Sequence, residues 1–264
     1  MGRRVWDTFL FNDELDLLEC RLTELDSSVY RFVICEAPVT HQGQLKPLHY
    51  LENKDRFAPW SDKIVHVIAD LDAEDTGEKA NWARENGQRR AISQGLAELE
   101  DDDIFLLSDA DEIPFPRIIQ DSPGHVLCMR NHLMAVNLLD PGWWAGTVSR
   151  YGRHVPRDLQ ILRDDRQYPS GGGPLKDKFG WPLVAGWHFS WLGGPEVMKA
   201  KVAANAHAEQ REHVLADAEH MYAEKKCYAG AERHILEVVI DEKWPKYMQE
   251  RRGPEWWYWP GKAE

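Results

Sequence analysis

Ile104-Phe105-Leu106-Leu107-Ser108-Asp109-Ala110-Asp111-Glu112-Ile113-Pro114 is the stretch whose reading decides the fold. The apolar run Ile104 to Leu107 has no alternation, as in a central strand of a parallel sheet buried on both faces. Pro114 lacks the donor a ladder needs, so the strand is expected to end before it. Asp109 and Asp111 then sit at the strand exit, where open α/β sheets bind ligands. Two carboxylates there suit Mg²⁺ or Mn²⁺ held together with substrate phosphates. An Asp-rich turn capping the next short helix is the plainer reading of the same residues.

Strands and helices alternate on either side of this segment. Val5 to Phe11 reads as a strand, and Asn12-Asp13-Glu14 opens a helix with Leu15, Leu18, Leu22 and Leu25 at helical spacing. Tyr30 to Cys35 and Ile64 to Ile68 read as strands, Leu48 to Phe57 as a short helix, and Trp82 to Leu99 as a long one. Repeated βα units predict an α/β fold with a Rossmann-like, mixed but mostly parallel sheet flanked by helices. His125 to Asn137 adds a strand, and 141–186 reads as loop around a flexible Gly171-Gly172-Gly173-Pro174 run. Glu196 to Lys226 is a C-terminal helical tract, broken near Asn205. No internal repeat appears, and 264 residues suit a single domain over 1–264.

Composition narrows the partners. Thirty-two basic against 44 acidic residues give a net charge of −12, which disfavours nucleic acid and anionic lipid. An anionic ligand therefore needs local cations or a metal. Cys20, Cys35, Cys128 and Cys227 are widely spaced, as in a reducing compartment. With no apolar signal region and no 18-residue apolar span, a cytoplasmic protein without a membrane span is expected.

The long helix carries an anomaly. Trp82, Glu85, Arg89, Ile92, Leu96 and Leu99 share one stripe, whose N-terminal half is polar where the core should be. Glu85 and Arg89 suit an i, i+4 ion pair. Alternatively this half lines a cleft, with Arg84, Gln88 or Arg89 reaching phosphate or sugar hydroxyls.

Several motifs taken together are more specific than any one. Asp7-Thr8-Phe9 with Asn12 to Glu19, Glu36-Ala37-Pro38-Val39-Thr40 with Gly43 and Lys46-Pro47-Leu48, Trp82-Ala83-Arg84-Glu85 with Gln88-Arg89, Ser108 to Pro114, and Gly186-Trp187-His188-Phe189-Ser190 resemble glycosyltransferase family 17 in the same order. The likeness runs from about Val5 to His207. It implies a GT-A type fold, a nucleotide-sugar donor such as UDP-GlcNAc, a glycan acceptor, a divalent metal (Mn²⁺ or Mg²⁺), and inversion at the anomeric carbon.

Roles for individual residues follow from the chemistry. A metal held by Asp111 with Asp109, and completed by His188 or His207, would neutralise the departing diphosphate. For either histidine a packed structural role is the alternative. A carboxylate must take the acceptor proton, and Glu112, Asp140 and Glu209 are candidates, Glu112 being nearest the metal acids. Glu36, Thr40, Lys46, Arg84, Gln88, Arg89 and Asp109 form the expected donor-binding set. For Glu36 a plain strand-end carboxylate, and for Lys46 a solvated lysine, compete with that reading. Of the 12 tryptophans, Trp143-Trp144 is the expected acceptor platform, whereas Trp256-Trp257-Tyr258-Trp259 reads as packing. A metal-dependent nucleotidyltransferase or phosphohydrolase, or a carbohydrate-binding protein without catalysis, remain the competing classes; no P-loop or G-x-G-x-x-G sequence supports the first.

Overall fold

In the computed structural model, the described residues are 2–71, 74, 76–141, 146–165, 174–207, 211–227, 233–250 and 252–260. The first half is built as βα units: β1 (Val5–Leu10), α1 (Leu15–Leu25), β2 (Arg31–Glu36), α2 (His49–Glu52), β3 (Ile64–Ile68), α3 (Glu78–Ala91) and β4 (Ile104–Asp109). β3, β2, β1 and β4 are neighbours in that order and all parallel. Both faces of this half are covered. Phe9, Ile104 and Leu106 face α1 with Leu18, Leu22 and Leu25, while Trp6, Val33, Phe105 and Leu107 face Ala91 and Ile92 on the other side. Double-sided burial is why the β4 run shows no alternation.

Beyond β4 the sheet becomes mixed. It continues with β5 (Glu112–Pro114), β6 (Val126–Leu133), β7 (Leu138–Leu139), β8 (Gly146–Tyr151), α4 (Gln160–Asp165) and β9 (Val184–Ser190). β8 lies between β4 and β6, antiparallel to both, and β9 runs parallel to β6 and antiparallel to β5. α5 (Gly194–Ala204) and α6 (Arg211–Glu224) follow, then the ribbon β10 (Lys226–Cys227) with β11 (Arg233–His234), and β12 (Leu236–Glu237) at the sheet edge. The chain leaves helical geometry at Asn205, with ψ of 171°, which is the expected break in the C-terminal tract. Among the described residues no helix is long and apolar enough to cross a membrane.

Two expectations are corrected, and one is met with an addition. The helix expected over Trp82 to Leu99 begins earlier and ends at Ala91, passing into a 3-10 turn, Ile92–Gly95. Gly95 lies so close to β2 and β3 that a Cβ would meet Val33 Cγ1 at 2.7 Å, so the chain presses onto the sheet there. β4 ends at Asp109, before Pro114, as expected, and Pro114 instead closes a separate three-residue β5 opposite Gly186, where the next amide, of Phe115, donates to Ala185 O at 2.8 Å. A strand terminus needs no donor from Pro. The stretch 141–186 holds β8, α4 and the start of β9, where packing against β4 and β6 supplied order that periodicity did not show.

Candidate functional site

Asp109 is the last residue of β4, and the turn after it is fixed from beneath by Arg21 of α1. This fully buried guanidinium makes a two-pronged contact with Asp7, at 2.8 and 2.6 Å. It also donates to Ser108 Oγ and to the carbonyls of Asp109, Ala110 and Glu112, the last at 2.7 Å. One planar fork thus holds strand, turn and β5 together. From the other side the amide of Phe189 donates to Asp111 O at 2.9 Å, tying the turn to β9. Gly186 permits this crossing, since a Cβ there would lie 2.3 Å from Met129 Sδ and 2.4 Å from Ile113 O.

The turn opens into a cleft of about 320 Å³ at the carboxyl ends of β1, β4, β6 and β9. Asp109, Asp111, His188 and His207 line it, as do Thr40, Lys46 and Gln88. Lys201 Nζ lies 2.6 Å from Asp111 Oδ2, and His188 Nε2 lies 3.4 Å from Oδ1. Burial would raise the Asp111 pKa, but the charges of Lys201 and His188 and their hydrogen bonds hold it far below the usual carboxylate range. Arg163 of α4 donates to Asp109 Oδ2, and its other nitrogen is 3.8 Å from Glu112. Two carboxylates and an imidazole on one wall are donor types a hard divalent cation accepts, so the residues present fit such an ion. Among the described residues no group of three His, Cys, Asp or Glu side chains is already gathered around one point.

Other expected site residues sit behind the wall. Glu36 is fully buried; its carboxylate accepts the amides of Tyr50 and Leu51, both at 3.1 Å, and pairs with His66 at 2.8 Å. It caps α2 rather than facing a donor. Burial alone would raise its pKa, yet the His66 and amide hydrogen bonds bring it below its ordinary value. Arg84 is buried and donates to His41 O at 2.9 Å. Arg89, 1% exposed, pairs with Glu85 at 2.7 Å, donates to Gln160, and lies 3.8 Å from Asp109. The polar half-stripe of α3 is therefore both an ion pair and a cleft wall, because Glu85 and Gln88 reach the cavity.

Glu112 and Asp140, each 1% exposed, are set into the wall rather than its surface. Glu112 accepts the amide of Asp109 at 3.3 Å, and Asp140 accepts Nδ2 of Asn131, the residue that does line the cleft. Neither is placed to meet an acceptor hydroxyl in this arrangement. His207 packs edge-on to Trp82 at 4.8 Å. Thr40 Oγ1 accepts the Gln44 amide, and Lys46 contacts Asn12 O and Pro47 O, each at 3.4 Å. Trp143, Trp144, Glu209 and the Gly171–Gly173 run lie outside the described residues. Trp257 and Trp259 are buried and Trp256 is half-exposed, so the C-terminal cluster mainly packs.

Sequence reasoning missed Arg21, Arg163, Lys201, Glu14 and His41. His41 Nε2 sits 2.8 Å from Gln88 Oε1 and its other ring nitrogen 3.9 Å from Glu85. Glu14, on the cleft wall, is 3.6 Å from Lys201, and burial raises its pKa against the pull of that lysine. Of these only Glu14 fell inside a quoted motif, where it read as a cap.

A mixed-charge cleft at the strand ends, with an acidic pair facing lysine, arginine and histidine, defines an α/β protein shaped to hold a polar ligand of mixed charge. The chain belongs to glycosyltransferase family 17, whose sequence model matches residues 1–158. Beta-1,4-mannosyl-glycoprotein 4-beta-N-acetylglucosaminyltransferase of Homo sapiens is 30% identical to it over 76% of this chain and 43% of that protein. The Rattus norvegicus protein of the same name is 29% identical over the same shares. The chain thus spans less than half the length of these relatives. A crystal structure of glucosyl-3-phosphoglycerate synthase from Mycobacterium tuberculosis with Mn²⁺, UDP and phosphoglyceric acid is 12% identical, covering 94% of this chain and 92% of that one. Its TM-score of 0.35 is too low to carry an argument about fold or site.

Proposed function

We propose that this chain is a GT-A type, inverting, metal-dependent glycosyltransferase that moves a sugar, GlcNAc by the name of its relatives, from a nucleotide-sugar donor such as UDP-GlcNAc to a hydroxyl of a glycan. Family membership and the relatives' names support transfer of a sugar. The observation that carries the site is the position of Asp109 and Asp111 at the exit of β4, in one cleft with His188, Lys46 and Lys201. Asp109, Asp111 and His188 would hold Mn²⁺ or Mg²⁺, which when bound acts as a Lewis acid towards the leaving diphosphate. Lys46 and Gln88 line the wall nearest the loop after β2 and would orient the donor. Partial burial holds the Lys46 pKa below its ordinary value.

Single displacement needs a carboxylate on the cleft surface to accept the acceptor proton. Glu85 is tied to Arg89, Asp109 to Arg163 and Asp111 to Lys201. Among the described residues we propose Glu14 for this step: it lines the cleft 3.6 Å from Lys201, and burial raises its pKa, whereas Glu209 lies outside the described residues. The test is incubation with Mn²⁺, candidate glycans and a panel of nucleotide sugars, followed by chromatography of the products. Release of nucleoside diphosphate together with a lengthened glycan is expected. Pyrophosphate from a nucleoside triphosphate would instead mark a nucleotidyltransferase, and no product with tight glycan binding would mark a lectin.

A further inference from the structure

Lys201 sits where a metal would be expected to approach Asp111. Its ammonium is 2.6 Å from Asp111 Oδ2 and 3.6 Å from Glu14 Oε1, and the side chain is 26% exposed to the cleft. The backbone beneath it is anchored across the cavity. Gln42 Nε2 donates to Val202 O and Asn205 O, at 2.9 and 3.1 Å, and the His41 amide donates to Ala204 O at 3.0 Å. The end of α5 is thus tied to the loop after β2, which carries Thr40 and Lys46. The flexible lysine stem is the part free to move. An ammonium and a divalent cation on the same carboxylate repel strongly in a partly dry site, so both cannot keep that place.

We propose that Lys201 is an exchangeable cation: it neutralises Asp111 while the cleft lacks metal, then yields that carboxylate to the divalent ion and transfers its ammonium to phosphate oxygens of the donor. This rests on the nucleotide-sugar reading of the site. No bond is made or broken; one cation replaces another on Asp111, and the displaced charge meets the anion that arrives with the metal. Metal and diphosphate binding are therefore coupled through one side chain, and each strengthens the other reciprocally. The device also keeps an acidic cleft from capturing divalent ions before a donor is present.

The experiment is isothermal calorimetry of Mn²⁺ alone, and of UDP and GDP at saturating Mn²⁺, on the wild-type chain and on Lys201→Met and Lys201→Arg. Methionine keeps the stem and removes the charge. Expected for Lys201→Met is Mn²⁺ binding about tenfold tighter without nucleotide, and diphosphate binding about tenfold weaker with Mn²⁺ present. Lys201→Arg, which preserves the charge, should restore diphosphate affinity. A structural role alone would weaken both ligands together. Unchanged or weaker Mn²⁺ binding by folded Lys201→Met overturns the exchange, as does wild-type Mn²⁺ affinity that is the same with and without UDP or GDP. If Lys201→Met does not fold, that second comparison on wild type and the Lys201→Arg titration decide. A wild-type chain that binds neither Mn²⁺ nor either nucleotide overturns the functional reading itself; one that binds both without coupling overturns the exchange alone.

Discussion

Asp111 stays ionised where burial opposes it because Lys201 and His188 stand against it, and Glu14, near the same lysine, moves the other way. Two carboxylates in one cleft with pKa values pushed apart are suited to different tasks, one to charge stabilisation and one to proton transfer. Glu14→Gln should accordingly lower kcat by about 100-fold or more, whereas Glu112→Gln should leave kcat within about tenfold, since Glu112 is set into the wall. Steady-state rates of diphosphate release check both. A large loss at Glu112→Gln with little at Glu14→Gln would return the base to Glu112. His132 of β6 offers a pH test outside the cleft. Burial, helped by Arg130, lowers its pKa to about 3. The unfolded chain protonates this ring near pH 6.5 while the folded one does not, so stability falls as pH drops from about 6.5 towards 3. Urea unfolding at pH 7, 5 and 4 should show a shallower acid decline for His132→Phe; an unchanged slope would contradict it. Asp109 and Asp111 were legible because strand and turn are adjacent in sequence. Lys201 and Arg163 were not, since a basic residue on a polar helix resembles a solvated one until the fold brings it to a carboxylate.

At the level of elements, α1 does more than cover the sheet. Its leucine stripe was readable from spacing, and it packs as expected on β1, β2 and β4. The same helix carries Arg21, whose guanidinium fixes the turn that presents both aspartates. Sequence spacing pointed to neither Asp7 nor Arg21 as a pair, because a buried ion pair leaves no periodic signature. Arg21→Met leaves the Asp7 charge buried without its partner and should destabilise the chain by about 3–5 kcal/mol. Adding Asp7→Leu should recover much of that loss, because the pair is then replaced by apolar groups. Guanidinium unfolding of single and double variants measures it. A double variant no more stable than Arg21→Met would contradict the view that Asp7 is the group left stranded. β5 was missed for a related reason: Pro114 argues locally against a strand, and only β9 alongside shows that the ladder needs nothing from it.

Over the whole molecule, the parallel half was readable and the mixed half was not. βα alternation implies parallel neighbours, which β3-β2-β1-β4 bear out. β8, inserted between β4 and β6, comes from a Gly-, Pro- and Trp-rich stretch in which long-range pairing overrides weak local propensity. That insertion, with β9 and α5 beyond it, brings His188 and Lys201 to Asp111 at the exit of β4. Charge shows the same division. A chain of net charge −12 repels anions at long range, yet Lys46, Arg163, Lys201 and His188 line one cleft. Crystals grown with Mn²⁺ and a nucleoside diphosphate, measured at the manganese absorption edge, test the central claim most directly. An anomalous peak beside Asp111, in the cleft that also holds the diphosphate, is the predicted result. Nucleotide in the cleft with no manganese peak at Asp109 or Asp111, or a peak away from both, would contradict it.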